Sequence, residues 1–185
     1  MISFRVLIVV ALQTLALAYM IFERQQMLDS ARVVTLKVVP VDPRDMFRGD
    51  YVVLNYDISR VDVATLAGDD KFSSGETAYV TVQKQSDGIW NAVAIAHKPV
   101  SQSPGDVALL ATVQYADDPA ANASANVSLT YGVESYFVPQ GTGHAIEEEA
   151  RKGSLTVDVA VNPQGRSAIR AVRRNGQAFY VEGVF

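Results

Sequence analysis

The stretch Ser154–Val184, SLTVDVAVNPQGRSAIRAVRRNGQAFYVEGV, decides the fold. Three apolar runs, Ser154–Val161, Ser167–Val172 and Phe179–Val184, are separated by Asn162-Pro163-Gln164-Gly165 and by Asn175-Gly176. Both separators carry hairpin or tight-turn chemistry, so the segment predicts short strands joined by turns. The same pattern extends back along the chain in Val33–Val39, Tyr51–Ile58, Thr77–Gln83, Ile89–Ala96, Val107–Tyr115 and Val127–Val133, with Ser86-Asp87-Gly88 as a further turn. Short runs at this spacing predict a mainly β domain, an antiparallel β-sandwich or partly open barrel. One short helix interrupts it at His144–Lys152, where acids come early, bases come late and Gly153 follows as the stop.

The chain has 185 residues, 49% of them hydrophobic and 19% charged, with no cysteine and two histidines. That size accommodates one ordinary domain and an appendage. Without cysteine there is no disulfide framework, thiolate metal site or thiol nucleophile, and two histidines are too few for a histidine cage.

The appendage is N-terminal. Residues 6–22, VLIVVALQTLALAYMIF, are broken only by Gln13 and Thr14. Counted from Ile2 to Phe22, the run is long enough to cross a bilayer core as a helix, about 32 Å. A buried helix of a soluble protein would carry a polar stripe, and this one does not. Ala16-Leu17-Ala18 resembles a signal-peptidase cleavage site, but the apolar run continues through Tyr19-Met20-Ile21-Phe22, which favours a retained anchor. Arg5 precedes the run, so the positive-inside rule keeps the N-terminus cytoplasmic and exports the rest, in a bacterium to the periplasm. The chain thus divides into an anchor at 1–23, a polar stalk at 24–32 and an exported β domain at 33–185.

Charge is uneven. Residues 61–150 hold 3 bases and 12 acids, net −9, whereas residues 151–185 hold 6 bases and 2 acids, net +4. Arg166, Arg170, Arg173 and Arg174 form a basic patch near the last turn or else face the acidic middle of the domain. No aromatic interleaving or reader motif accompanies them, which argues against nucleic acid as a partner.

The densest segment is Pro40–Ile58, PVDPRDMFRGDYVVLNYDI. Pro40 and Pro43 constrain the backbone, and Gly49-Asp50 supplies a turn before a strand. Along that strand Tyr51, Val53, Asn55 and Asp57 share one face, and Val52, Leu54, Tyr56 and Ile58 the other. One reading is a loop–strand junction in which Asp50 caps amides, the tyrosines pack, and Arg44 and Arg48 pair with Asp42 and Asp45. The other is an interaction surface, since exposed Tyr and Arg dominate interface energetics.

Gly49-Asp50-Tyr51-Val52-Val53-Leu54-Asn55-Tyr56 resembles the motif of the GDYXXLXY proteins at all five specified positions. The lead-in, with Asp42, Pro43, Arg44 and Arg48, is similar to that family's, as is Glu134-Ser135-Tyr136-Phe137-Val138-Pro139; the closing Phe179–Phe185 matches more loosely. The resemblance implies a protein of the bacterial inner membrane with no established biochemical role. It also implies a multi-pass membrane protein as partner, with this chain as a non-catalytic accessory subunit. The candidate interaction residues are therefore Asp42, Pro43, Arg44, Arg48, Gly49, Asp50, Tyr51, Leu54, Tyr56, Tyr136 and Pro139. No cofactor is implied.

Two other readings stand beside this one. A membrane helix, a proline, a Gly-Asp turn and a strand also resemble the opening of signal-peptidase-type serine/lysine proteases. That chemistry needs a serine just before the proline and a neutral lysine base. No serine occurs between Ser30 and Ser59, and Lys84 and Lys98 lack an evident partner. The reading is thus of a related fold with absent or altered hydrolase activity. A Ser-His-Asp triad fares no better, because neither His97 nor His144 accompanies a nucleophile-elbow motif. Lastly, Asp42, Asp45 and Asp50 suggest a site for a small ligand or hard cation, although Arg44 and Arg48 compete for the same carboxylates and no EF-hand spacing is present.

Overall fold

Period-two alternation becomes burial in the first strand of the domain, where Val34, Leu36 and Val38 are buried and their neighbours only partly so. The computed structural model describes residues 2–28, 32–40, 51–117, 125–137 and 148–181. Helix α1 is Ile2–Leu28. The strands are β1 Val33–Val39, β2 Tyr51–Val53, β3 Asn55–Tyr56, β4 Arg60–Asp62, β5 Ala67–Gly68, β6 Thr77–Lys84 and β7 Trp90–Ala96. They continue as β8 Val107–Ala116, β9 Asn126–Thr130, β10 Ser135–Phe137, β11 Leu155–Val161, β12 Ser167–Arg174 and β13 Gln177–Val181. Short 3-10 turns occupy Asp57–Ser59 and Val63–Thr65, and residues 148–151 are helical, inside the segment where a short helix was expected.

The strands form two curved layers of a half-barrel. One sheet runs β13-β12-β11-β1-β3, the other β4-β9-β8-β6-β7-β5, and β10-β2 is a separate two-stranded ribbon. Pairing is antiparallel except for β5 beside β7. Val34, Leu36, Leu155, Val157, Val159 and Val172 of the first sheet meet Val80, Val82, Ile95, Leu109, Val113 and Leu129 of the second in one continuous core. Each of these side chains leaves water almost completely, which is worth about 1.5–3 kcal/mol per residue. The meander expected at the C-terminus is β11-β12-β13, with Asn175 in the left-handed conformation at its second turn.

Two expected strands differ. Tyr51–Ile58 is not continuous: β2 pairs with β10, the ladder breaks at Leu54, and β3 pairs with β1. The chain changes sheets there, and no straight strand can serve both ladders. Val127–Val133 ends at Thr130, because Gly132 takes a φ of +77° and the Tyr131 amide turns to the Glu134 carboxylate.

Two glycines are required where backbones approach closely. The Gly165 carbonyl accepts from the Leu110 amide at 2.8 Å, so the β11–β12 turn is tied to β8 across the two sheets. Gly68, at φ +112°, lies against β7 so closely that an added Cβ would sit 2.1 Å from the Ile95 carbonyl oxygen. Gly68→Ala is expected to cost roughly 1–3 kcal/mol from the strained φ, with displacement of β5 adding to it. Chemical denaturation will show a lower midpoint, whereas Gly75→Ala, also at positive φ but in open space, will lose less.

Candidate functional site

The two sequence blocks, Gly49–Tyr56 and Glu134–Pro139, come together. In the ribbon Ser135 pairs with Val53, Tyr136 with Val52 and Phe137 with Tyr51. The Leu54 amide, at the break between ladders, donates to the Glu134 carbonyl at 2.7 Å. Two residues on, the Tyr56 hydroxyl donates to the Val133 carbonyl at 2.6 Å, and the Tyr131 hydroxyl donates to the Ile58 carbonyl, also at 2.6 Å. Each segment therefore lends a tyrosine to the other's backbone, a reciprocal clasp. The Tyr56 amide donates to the Ser59 hydroxyl at 3.1 Å, and Ser167 of β12 donates its hydroxyl to the Tyr131 carbonyl at 3.0 Å.

Burial explains why the clasp matters. Tyr56 is 1% exposed and Tyr131 6%. Burial pushes both phenol pKa values far above the ordinary 10.0, and the neighbouring Glu134 charge pushes the same way. Both rings therefore stay neutral and serve as hydrogen-bond donors rather than as acid–base groups.

The sequence-derived site residues divide accordingly. Leu54, Tyr56 and Tyr136 are buried, and the alternation read from sequence holds: Val53 and Asp57 face outward while Leu54, Tyr56 and Ile58 face the core. Tyr51 contributes its backbone to β2. Asp42, Pro43, Arg44, Arg48, Gly49, Asp50 and Pro139 lie outside the described residues, and so do Asp45 and His144. Among the described residues no three His, Asp or Glu side chains are arranged to hold a metal ion. Lys84 and Lys98 are exposed.

Three polar arrangements carried no sequence motif. Asp158, 6% exposed in the middle of β11, accepts from Arg173 Nε at 2.6 Å and from the Thr35 hydroxyl at 2.9 Å, linking three adjacent strands. Asp106 accepts from the amides of Gln102 and Ser103 at 2.9 and 2.6 Å, closing the β7–β8 loop. On the surface, His97 Nδ1 lies 2.7 Å from Asp69, its Nε2 lies 3.5 Å from Glu76, and Phe72 stacks on its ring at 4.7 Å. A histidine oriented by an aspartate is the geometry of a general base, but here the second nitrogen turns to a carboxylate instead of a hydroxyl. For Asp158 and His97 the signal is weak because the partners are far apart in sequence, whereas the Asp106 partners lie only three and four residues away.

The basic patch also resolves. Arg173 is held by Asp158 within its own sheet, Arg166 approaches Glu23 of α1 at 4.0 Å, and Arg174 lies over the Phe179 ring at 5.3 Å. Arg173 and Arg166 are thus held within the first sheet and to α1, whereas Arg174 also lies near enough to Glu149 of the acidic stretch for its charge to help hold that carboxyl's pKa down. Helix α1 itself is apolar over Phe4–Glu23, with a mean hydropathy of 2.1 and none of that span buried in protein. It is long and apolar enough to cross a membrane, a property it shares with signal sequences.

Two measurements test this geometry. Tyr56→Phe and Tyr131→Phe each leave a buried carbonyl without its donor and should cost about 1–3 kcal/mol in denaturant unfolding, whereas Tyr115→Phe, at an exposed site, should be neutral. The Asp69 hydrogen bond, followed by that from Glu76, raises the His97 pKa above the ordinary 6.5. A raised folded-state value means that these contacts stabilise fully below about pH 6.5 and that the contribution is lost as pH rises through the folded value. An NMR titration should place His97 above the ordinary value, and Asp69→Asn should return it toward 6.5.

A model of the family described as GDYXXLXY protein matches residues 13–172, from within α1 to within β12. Comparison with curated proteins and with solved structures returned no match.

Proposed function

The chain belongs to the GDYXXLXY family, and from that premise we propose that it is a membrane-anchored, non-catalytic interaction module that assists a multi-pass membrane protein. The observation that carries the proposal is the union of an uncovered apolar helix with a β domain whose two family blocks pair with each other. In this reading α1 stays uncleaved in the bacterial inner membrane, the N-terminus is cytoplasmic, and the β domain stands in the periplasm. Arg5 ahead of the apolar run supports that orientation.

The division of labour within the motif supports an interface. Its inward residues, Leu54 and Tyr56, are occupied by folding, which leaves the outward side of the ribbon to meet a partner. Val53, the last residue of β2, pairs with Ser135 at the end of the ribbon and is 49% exposed. Arg48 and Tyr51 are its neighbours in sequence. A hydrolase reading draws on none of these features.

The test is site-specific photo-crosslinking in living cells at Arg48 and Val53, with Glu148 as a distant reference. One membrane protein captured at both motif positions and absent from Glu148 is the expected result. Equal capture at Glu148, or labelling of the purified chain by a serine-directed hydrolase probe, would count against it.

A further inference from the structure

Two polar residues, Gln13 and Thr14, sit at the midpoint of the apolar span Phe4–Glu23. About 14 Å of helix separates them from either end, too far for a glutamine side chain to reach an interface. The Thr14 hydroxyl turns back along the helix and donates to the Val10 carbonyl at 2.9 Å, so it needs no other partner. Among the described residues the Gln13 side chain makes no hydrogen bond, and it is exposed on a span that no part of the protein buries. In hydrocarbon its N–H donors and its carbonyl have no water to turn to, and an unpaired amide there is costly.

The surroundings of Gln13 on the helix are those of a seam. Val6, Gln13 and Met20 recur every seven residues, with Val9 and Ala16 three residues after the first two, so all five share one face. Ala16, one turn from Gln13, is small enough to let a second backbone approach. Glu23, which faces Arg166 of the β domain, and Tyr19 lie roughly 100° round the helix from Gln13. The β domain therefore leaves the Gln13 face open.

We infer that α1 pairs in the membrane with α1 of a second copy of this chain, Gln13 against Gln13. Two copies inserted in the same direction bring their Gln13 amides to the same depth. A primary amide is self-complementary, so each N–H donates to the other's carbonyl, the reciprocal exchange that a two-fold axis requires. A second copy is favoured over a helix of a different protein because it supplies the matching group, at the matching depth, by identity. One polar residue in an apolar seam also fixes its register. The inference rests on the proposed reading of α1 as an uncleaved anchor and adds a self-contact to it.

The chain has no cysteine, so single-cysteine variants of the full-length protein report the contact directly. Met20→Cys, on the Gln13 face, and Phe22→Cys, opposite it, are oxidised in native membranes with copper–phenanthroline, and the products are identified by intact mass. Both positions are exposed on α1, so the β domain keeps its fold. Met20→Cys is expected to give a disulfide-linked homodimer in roughly 5-fold higher yield than Phe22→Cys. Adding Gln13→Leu should lower that yield roughly 3–10-fold, whereas Gln13→Asn, which keeps the amide, should restore most of it. Equal yields from the two faces, a yield indifferent to Gln13→Leu, or a disulfide-linked product with another protein in place of the homodimer would overturn the pairing. The intact mass separates the two readings. A chain beginning after Ala18 sinks the anchor and the pairing together, while a full-length chain without face-specific dimer sinks the pairing alone.

Discussion

The hydrogen bond from the Leu54 amide to the Glu134 carbonyl is the constraint on which the rest depends. At Leu54 the chain leaves the ribbon with β10 and enters the ladder beside β1. A strand that changes sheets leaves backbone groups without ladder partners, and orphaned buried groups are costly. The Glu134 carbonyl takes the Leu54 amide, and the two tyrosine hydroxyls take the Val133 and Ile58 carbonyls. With Leu54 and Tyr56 both 1% exposed, little room remains for water to substitute.

This arrangement accounts for the motif's residue types. Position 54 must be apolar, since it fills the core at the crossing. Position 56 must be both apolar and a donor, and tyrosine alone combines a large buried ring with a neutral hydroxyl of that reach. A phenylalanine keeps the ring and loses the donor. The same reasoning applies to Tyr131, which also receives Ser167 and so binds the crossing to β12. Family resemblance and fold stability thus meet in Leu54 and Tyr56.

Outside the crossing, the domain is held by apolar burial and a few polar ties. The Gly165 carbonyl joins the meander to β8, and Asp158 joins β1, β11 and β12. A buried aspartate is tolerated because both its oxygens are occupied by donors, one of them cationic. Arg166 beside β12 and Glu23 of α1 approach to 4.0 Å, so the helix and the β domain meet there at polar side chains.

Local pattern determined a great deal. Apolar periods of two and short turns specify the strands: Val33–Val39 has the bounds of β1, and the C-terminal runs are β11 to β13. The run at 6–22, broken only by Gln13 and Thr14, specifies an apolar helix, and the GDYXXLXY residues specify the family. These features were legible because their physics is local. Which strands become neighbours, the break at Leu54, the pairing of the motif with Tyr136, and the meeting of His97 with Asp69 were not. Each joins residues separated by tens of positions, as Tyr56 and Val133 are by 77. Such contacts are chosen by how two sheets close over a shared core, and only the assembled tertiary structure contains that geometry.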